Sequence, residues 1–295
     1  MKHVLVALSA WLMLTAAAYP ALNAKVFDRV WTLVASRYWD RNRADLDWNA
    51  ARAAFRPDAL TARDSPHLYQ VINRMLARTG DSHVYARGPG QLPPAPPRND
   101  DAAWNRRARW AAKGVLLLGF DQFEPGDDRW IAGSLKTWRP RAVILDLRGN
   151  VGGDAEVLDR IAGLFVAEDR ILIRLTGRRN IEERSRGVGK RAFVGPMAVL
   201  IGPRTSSAAE ILAAFLDDSG RAVTIGQRTK GAVTGGVDYR LPDGGRLTIA
   251  EYDIHLPSGR RLEREGLMPR HLVVPQAGRD PPLETAIKLL AQGGA

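Results

Sequence analysis

Apolar residues in the N-terminal part of the chain recur at the spacing of helices. One stripe, at i, i+3, i+4, i+7 and i+11, consists of Phe27, Val30, Trp31, Val34 and Tyr38. A second stripe consists of Leu68, Val71, Ile72, Met75 and Leu76. Each stripe places its apolar side chains on one face of a helix. The second helix has Ser65 as its predicted N-cap and Pro66 at its first helical position, and Gly80 supplies a left-handed stop.

Beyond residue 112 the pattern changes to short apolar runs that alternate with helical periodicity. The runs predict strands at 115–120, 142–147, 171–175, 197–201 and 222–225. Helices are predicted at 154–167 and 207–216, and a last one begins at Pro281 with Asp280 as its cap. A turn at 242–245 joins two further strands, 237–241 and 246–255, into a hairpin. Strands that alternate with helices predict an α/β core with a largely parallel sheet.

The first 24 residues have the features of a secretory signal. Lys2 gives a positive start, an apolar stretch follows at 4–18, and Ala24 is a small residue suited to cleavage. The alternative is an uncleaved anchor. After this 1–24 signal peptide, the chain is predicted to contain an N-terminal helical subdomain at 25–87, a Pro-rich linker at 88–112 and an α/β core at 113–292. This organisation predicts a periplasmic or secreted protein.

Composition narrows the class of protein further. The 295 residues are 45% apolar and 25% charged, which excludes a disordered, collagen-like or coiled-coil chain. Cysteine is absent, so disulfide scaffolds, thiol catalysis and cysteine-bound metals are excluded. A net charge of +11 raises nucleic acid as a partner, but the basic residues are dispersed and no nucleic-acid motif surrounds them. We expect a solvated basic surface in at most weak contact with anionic envelope surfaces, and no nucleic acid.

A serine-rich turn between a predicted strand and a predicted helix is the first candidate for chemistry. Ser207 stands at the start of the helix, where backbone N–H groups and the positive end of the helix dipole stabilise an oxyanion. The position therefore suits a nucleophile. It also suits a capping box, in which the Ser207 hydroxyl and the Glu210 carboxylate cap the helix. The residues alone leave both interpretations open.

The loop after the predicted strand at 142–147 contains two consecutive glycines, Gly152 and Gly153. Paired glycines let the backbone approach a ligand closely and present N–H groups to it. A phosphate loop is the competing interpretation, but neither GK[ST] nor GxGxxG occurs there, so nucleotide binding is not expected. An ordinary tight turn is the other alternative.

Among the five histidines, His83 is the candidate for acid–base chemistry. It follows Gly80-Asp81-Ser82 directly after a capped helix, and catalytic side chains concentrate on loops that rigid elements position. His67 falls in the first turn of a helix, and His255 and His271 fall on or near strands, where structural roles are commoner. The sequence has no HxH or HxxxH pair, so neither a metal nor another cofactor is expected.

Seven segments together resemble the serine peptidases that include the C-terminal processing proteases and the tricorn protease core. The segments are the entry helix, GDSHVYA at 80–86, RAVILDLRGNVGGD at 141–154, VLIGPRTSSAAEILAAFL at 199–216, RAVTIGQRTKGAVTGG at 221–236, YRLPDGGRLTIA at 239–250 and LPSGRRLEREGLMPRH at 256–271. They follow one another in the family's order over most of the chain. The resemblance implies a crotonase-like or ClpP-like α/β core with an N-terminal helical subdomain and a C-terminal β-hairpin.

The resemblance also implies which residues form the site. The family's nucleophile corresponds to Ser207, with its neighbour Ser206 as the second choice. The processing proteases activate that serine with a lysine 25 residues downstream, where this chain has Ala232. Lys230, two positions before it, would be a displaced base.

The tricorn-like variant of the family instead takes a histidine, preceded by a serine, from the N-terminal element, and this matches Ser82 and His83. A glutamate near the C-terminus completes the set, with Glu263 as the first candidate and Glu265 as the alternative. A neutral imidazole accepts the serine proton, and a polar or acidic group orients the imidazolium. The oxyanion hole implied by the resemblance consists of the N–H groups of Ala208 and of Gly153, or of Gly152 in its place.

Two features depart from the family pattern. The stretch between Ala86 and Val115 is too short for the PDZ domain that the processing proteases carry there, and Arg270 stands where an acidic residue is usual. We expect an exported serine peptidase that acts on peptides or unfolded proteins, and the sequence does not predict its oligomeric state. The alternatives are a catalytically weak or inactive member of the same fold that binds peptides or other ligands, and an unrelated basic module that binds envelope polyanions.

Overall fold

The structure, a computed structural model, describes residues 2–40, 46–91, 106–177 and 179–292, with side chains from residue 20 onward. The chain divides into two compact units. The first unit comprises Met1–Pro96 and Thr234–Asp253, and the second comprises Pro97–Val233 and Ile254–Ala295. The first unit therefore includes a late segment of the sequence that lies inside the predicted core at 113–292. The predicted domain boundaries and the cleavage after Ala24 stay predictions.

The described ranges contain seven α-helices and eleven strands. The helices are α1 (Lys2–Arg37), α2 (Trp48–Leu60), α3 (Ser65–Leu76), α4 (Asp127–Trp138), α5 (Ala155–Gly163), α6 (Ala208–Asp218) and α7 (Pro281–Ala291). The strands are β1 (Tyr85–Arg87), β2 (Arg107–Ala112), β3 (Val115–Gly119), β4 (Ala142–Asp146), β5 (Arg170–Gly177), β6 (Ile181–Ser185), β7 (Met197–Ile201), β8 (Val223–Gly226), β9 (Thr234–Arg240), β10 (Arg246–His255) and β11 (His271–Leu272). Among these described helices, none is both long and apolar enough to cross a membrane.

The helices of the first unit follow the predicted apolar stripes. Most residues of both stripes are buried in one core that α1, α2 and α3 share. The predicted N-cap of α3 is wrong by one residue, because the Asp64 carboxylate accepts the His67 N–H at 2.9 Å and Ser65 is already helical. Gly80 has a left-handed φ of 61° and ends the short helical turn after α3, as predicted.

The strands of the first unit form a small antiparallel sheet. β9 and β10 make the predicted hairpin, and β1 pairs with the other side of β10. Leu247 and Ile249 on β10 are fully buried in the same core as the helices. The end of the α1 segment is tied to this sheet, since the Trp39 N–H donates to the Ala250 carbonyl at 3.0 Å. The loop between α3 and β1 is held at both ends, because α3 packs in the core and β1 pairs with β10.

The second unit contains a six-stranded sheet in the order β11-β8-β7-β4-β3-β2. All its pairs are parallel except β2 with β3. β3 and β7 are buried along their whole length, which explains their continuous apolar sequences. A further antiparallel pair, β5 with β6, belongs to the same unit. The predicted α/β class is confirmed.

Several elements differ from the sequence-based expectation. β2 falls inside the predicted linker at 88–112, of which residues 92–105 lie outside the described part of the chain. None of its residues is buried, so no apolar alternation marks this edge strand. α5 ends at Gly163, four residues before the predicted end. Residue 163 has to be glycine, because a Cβ there would lie 2.2 Å from the Arg186 carbonyl oxygen. Neither α4 nor β6 was predicted.

Candidate active site

The loops that carry Ser207 and the glycine pair meet at one edge of the sheet in the second unit. β4 and β7 are parallel neighbours, with Asp146 opposite Leu200, so both strands end at the same edge. The Ser206 N–H donates to the Asn150 carbonyl at 3.1 Å and joins the two loops. In open α/β sheets this carboxyl edge is where ligands bind.

Asn150 organises the glycine loop and decides which glycine is available to a ligand. Its side chain is fully buried, and its amide donates to the Phe120 carbonyl at 2.9 Å. Its Oδ1 accepts the Gly152 N–H at 2.9 Å. The Gly152 N–H is therefore already used, and of the two alternatives for the oxyanion hole Gly153 is the better supported. Sequence reasoning overlooked Asn150, although an asparagine two residues before a glycine is a known turn signal.

Gly152 is required by a close approach to the serine turn. Its φ is 92°, and a Cβ built on it would lie 2.6 Å from the Ser207 Cβ and 2.9 Å from the Ser206 carbonyl oxygen. No side chain fits at such distances. Gly152 is thus explained by contact with the Ser207 turn. Gly153 is required by a different contact, since a Cβ on it would lie 2.5 Å from the Phe123 carbonyl oxygen.

Ser207 adopts a backbone conformation that non-glycine residues rarely accept. Its φ of 55° and ψ of −125° lie outside the helical and extended regions, directly before α6. Strained residues of this kind cluster at active sites, and a strained turn between a strand and a helix is how hydrolases present a nucleophilic serine. The conformation is held by the Ser207 N–H, which donates to the Ala232 carbonyl at 3.0 Å and to Glu210 Oε2 at 3.1 Å.

Two backbone N–H groups next to Ser207 are suited to an oxyanion. In the part of the chain that the structure describes, neither the Gly153 N–H nor the Ala208 N–H donates to a protein acceptor. Gly153 is exposed, and Ala208 is the first residue of α6, where N–H groups have no acceptor within the helix. These are the two donors that the resemblance implies.

The neighbouring serine has a different environment. Ser206 is 5% exposed, and its hydroxyl donates to the Val151 carbonyl at 3.0 Å. Ser207 is only partly buried. A hydroxyl that is buried and already bonded is poorly placed to attack a substrate, so the geometry favours Ser207 over Ser206.

The segment after β8 shows where the missing lysine would lie. Ala232 accepts the Ser207 N–H through its carbonyl, so the family's lysine position is adjacent to the serine, but alanine offers no base. Lys230 is exposed, and its backbone N–H donates to the Thr205 carbonyl at 3.0 Å. A lysine that acts as a general base is normally buried, so the exposed Lys230 is poorly placed for that role.

The two candidate glutamates differ in burial. Glu263 is 6% exposed, and its Oε2 accepts the Val233 N–H at 2.7 Å. Glu265 is exposed. Val233 follows Ala232, so the buried Glu263 is joined to the segment that contacts the Ser207 backbone. The geometry supports Glu263 as the acidic candidate.

The histidine element belongs to the first unit. Ser82 Oγ is 2.8 Å from His83 Nδ1, so the two neighbouring side chains contact each other. The loop is organised by Asp81, whose carboxylate accepts the His83 N–H at 3.0 Å, the Trp39 Nε1–H at 3.1 Å and the Thr234 hydroxyl at 3.1 Å. The sequence analysis did not single out Asp81, although an aspartate side chain that accepts the N–H of the residue two positions later is a common turn. The pairing of His83 with Ser207 stays a prediction.

Comparison with models of known protein families assigns the chain to a peptidase family. A model of peptidase family S41 matches residues 115–273, more than half of the sequence, and a model of the tricorn protease C1 domain matches residues 20–77. The chain belongs to peptidase family S41. The resemblance inferred from the seven segments is thereby confirmed.

Individual relatives agree with this assignment to S41. A carboxyl-terminal-processing protease of Picosynechococcus sp. is 35% identical over 133 residues, which are 45% of this chain and 32% of that protein. The match thus spans about a third of the relative's length. The photosystem II D1 C-terminal processing protease has a TM-score of 0.66 at 17% identity and covers 91% of this chain and 97% of its own. The tricorn protease has a TM-score of 0.67 at 16% identity and covers 92% of this chain and 37% of its own.

Arg270, the departure from the S41 pattern, has its own partners in this chain. Its Nε donates to Asp217 Oδ1 at 2.7 Å, and its Nη2 donates to the Asp217 carbonyl at 2.9 Å. Its backbone N–H donates to the Thr224 hydroxyl at 3.0 Å. The arginine is therefore anchored to the C-terminal end of α6, while Glu263 keeps its buried position.

Replacing Gly152 by alanine is expected to impair the S41 site more than the fold. The new Cβ would displace Ser207, and φ of 92° is unfavourable for any side chain. We expect a loss of activity of about 100-fold, because a displacement of about 1 Å at a reacting group has an effect of that order. The measurement is kcat/KM together with the midpoint of thermal unfolding. Gly244, which has a positive φ of 90° but open space around it, provides a control: Gly244→Ala should cost stability only.

Proposed function

We propose that this S41 member is a serine peptidase in which Ser207 is the nucleophile and His83 the general base, with support from Ser82 and Glu263. The observation that carries the proposal is the strained Ser207 turn, which packs against Gly152. The available N–H groups of Gly153, the next residue after Gly152, and of Ala208, the next residue after Ser207, support it. The capping box of Ser207 and Glu210 is formed, but a capping role alone explains neither the strain at Ser207 nor the close packing of Gly152 against it. The Glu210 N–H also has a partner in the Ser207 carbonyl, at 2.9 Å.

In the proposed reaction, Ser207 Oγ attacks the carbonyl carbon of the scissile peptide bond while its proton passes to His83. The electron pair of the carbonyl moves to oxygen, and the N–H groups of Gly153 and Ala208 stabilise the oxyanion. Collapse of this intermediate breaks the C–N bond, and the imidazolium gives its proton to the leaving amine. Water, deprotonated by the same imidazole, then hydrolyses the acyl-enzyme and restores Ser207.

Histidine is proposed as the base because the chain has no lysine at the position that the processing proteases use. Ala232 occupies the lysine position of the processing proteases, and Lys230 is exposed. Ser82 Oγ lies at His83 Nδ1, so we assign Nε2 as the nitrogen that receives the Ser207 proton. The Ser82 contact would then hold the imidazole orientation, and Glu263 would stabilise its charged form.

The proposed substrates are peptides or unfolded proteins. The relatives named as carboxyl-terminal-processing proteases suggest that cleavage takes place near the carboxyl terminus of the substrate. The second candidate function is a catalytically weak or inactive member that binds peptides, which the alanine at the lysine position favours. A fluorophosphonate probe, which reacts only with an activated serine, distinguishes the two functions. Labelling of wild-type protein supports the peptidase, and absence of label together with peptide binding supports the second function.

The location outside the cytoplasm is part of the proposal. It rests on the apolar stretch at 4–18 that a positive start precedes and Ala24 follows. Expression of the full chain in a bacterial host, followed by mass spectrometry of the periplasmic fraction, should find a protein that begins at Lys25. Recovery of the intact chain in the membrane fraction would support the uncleaved anchor instead. The same material tests weak retention on anionic lipid, which the net charge of +11 predicts.

Glu263→Gln is expected to reduce kcat/KM by about 10-fold or more and to lower the apparent pKa of its pH profile, since a carboxylate stabilises the imidazolium. The measurement is kcat/KM against pH on a cleaved peptide. Glutamine keeps an acceptor for the Val233 N–H, so the fold should persist. Glu265→Gln is the matched control, because that side chain is exposed. An effect confined to Glu265→Gln would move the acidic role by two residues.

A further inference from the structure

A buried carboxylate that the proposed mechanism does not use lies directly behind Ser207. Glu210, in the first turn of α6, is 0% exposed, and burial raises the pKa of its carboxyl group. A buried carboxylate is costly unless hydrogen bonds compensate it. Helix capping accounts for the bond of Glu210 to the Ser207 N–H, but it does not account for the complete burial of this carboxyl group.

Four hydrogen-bond donors converge on this one carboxylate, two on each oxygen. Oε1 accepts the Gly231 N–H at 2.8 Å and the hydroxyl of Thr229. Oε2 accepts the Ala232 N–H at 2.9 Å and the Ser207 N–H at 3.1 Å. Three of the four are backbone N–H groups, which can only donate. This arrangement of donors therefore requires a side chain at residue 210 that accepts hydrogen bonds at both of its terminal oxygens.

The contacts of Glu210 continue to the segment that carries Glu263. Thr229, which is 5% exposed, donates to Glu210 and accepts the Leu267 N–H at 2.6 Å. The Gly231 carbonyl accepts the Arg264 N–H at 2.7 Å. The segment 229–233 thus lies between Glu210 on one side and 263–267 on the other. The Glu210 carboxylate thus connects the backbone of Ser207, through the segment 229–233, with the segment that carries Glu263.

We propose that Glu210 is a positioning residue: by accepting hydrogen bonds at both carboxyl oxygens, it holds the strained Ser207 backbone and the 229–233 segment in the arrangement that the reaction needs. The proposal rests on the proposed function, since it concerns the reactivity of Ser207. It assigns Glu210 a role that capping alone does not require. A cap needs one acceptor for one helix N–H group, whereas this carboxylate serves three backbone N–H groups from two different segments.

The proposal leads to an unusual expectation for the isosteric variant. In Glu210→Gln, one of the two carboxylate oxygens becomes an NH2 group. Either orientation of the amide points that NH2 at a backbone N–H, of Gly231 on one side or of Ser207 and Ala232 on the other. Two donors facing each other leave both unsatisfied, so glutamine should be nearly as harmful as alanine. For an ordinary cap, glutamine is an adequate replacement.

The test compares wild type, Glu210→Gln and Glu210→Ala by the rate of fluorophosphonate labelling, at a temperature where each variant is folded. We expect labelling to slow by about 10- to 100-fold in both variants, the order found when a reacting group is slightly misplaced. Hydrogen exchange at the Gly231 and Ala232 amides should quicken in both. Asp217→Asn is the matched control, because Asp217 lies on the same helix, where it binds Arg270 and Thr224. It should lower the unfolding midpoint without changing the labelling rate or those amides.

The outcomes separate this proposal from the proposed function. The positioning role would be overturned if the labelling rate and the amide exchange rates of the Glu210→Gln variant were within about twofold of wild type. Helix capping would then be a sufficient role for residue 210. If wild-type protein itself does not label, the proposed function fails, and the exchange of the Gly231 and Ala232 amides alone decides whether Glu210 holds this backbone. If neither Glu210 variant folds, Thr229→Val against Thr229→Ser carries the same comparison, because serine keeps the hydroxyl that donates to Glu210.

Discussion

Replacing Ser207 by alanine is expected to abolish peptide hydrolysis and fluorophosphonate labelling, with kcat reduced by about 10⁴-fold or more, the order found for catalytic serines. The fold should survive. The bonds that Ser207 makes to Ala232 and Glu210 use its backbone N–H, which alanine keeps. The unfolding free energy should change by about 1 kcal/mol at most, the contribution of a capping hydroxyl. The measurements are kcat, the extent of labelling and thermal unfolding.

Ser206→Ala is the matched control for this experiment. Its hydroxyl donates to the Val151 carbonyl, so the variant should lose some stability yet retain label. Label that persists in Ser207→Ala and disappears in Ser206→Ala would show that the nucleophile is the neighbouring serine. Unfolding of Ser207→Ala in place of inactivation would support the capping interpretation.

His83→Ala is expected to reduce kcat by about 10³-fold or more, because the serine then has no base to accept its proton. Asp81 contacts the backbone N–H of residue 83, so the loop keeps that bond when the imidazole is removed. Lys230→Ala is the comparison variant and should keep most of the activity, since Lys230 is exposed. The pair of variants decides which family mechanism operates.

The pH profile of kcat/KM tests independently whether the general base is a histidine or a lysine. A rate that rises between about pH 6 and 7.5 is typical of an imidazole base, whereas a rate that rises only above about pH 9 is typical of an amine. Large loss in Lys230→Ala with little loss in His83→Ala, together with the alkaline profile, would replace the histidine mechanism by a serine–lysine one.

The sequence by itself determined the fold class and the limits of several elements. β7 and β10 have the predicted bounds, 197–201 and 246–255. The first is a continuous apolar run, and the second follows directly after the hairpin turn at 242–245, so both are defined locally. The order of the seven motifs was sufficient to identify the family. The candidate residues Ser207 and Glu263 also came from the sequence, because motif spacing survives changes elsewhere in the chain.

The tertiary structure alone decided which groups around those residues are available. Hydrogen-bond partners depend on distant segments: the Gly152 N–H is used by Asn150, and Ser206 by Val151. The strain at Ser207 and the convergence of donors on Glu210 involve the 229–233 segment, which no local pattern relates to the serine turn. A sequence pattern reports burial and local geometry, whereas hydrogen-bond satisfaction is a property of the packed chain.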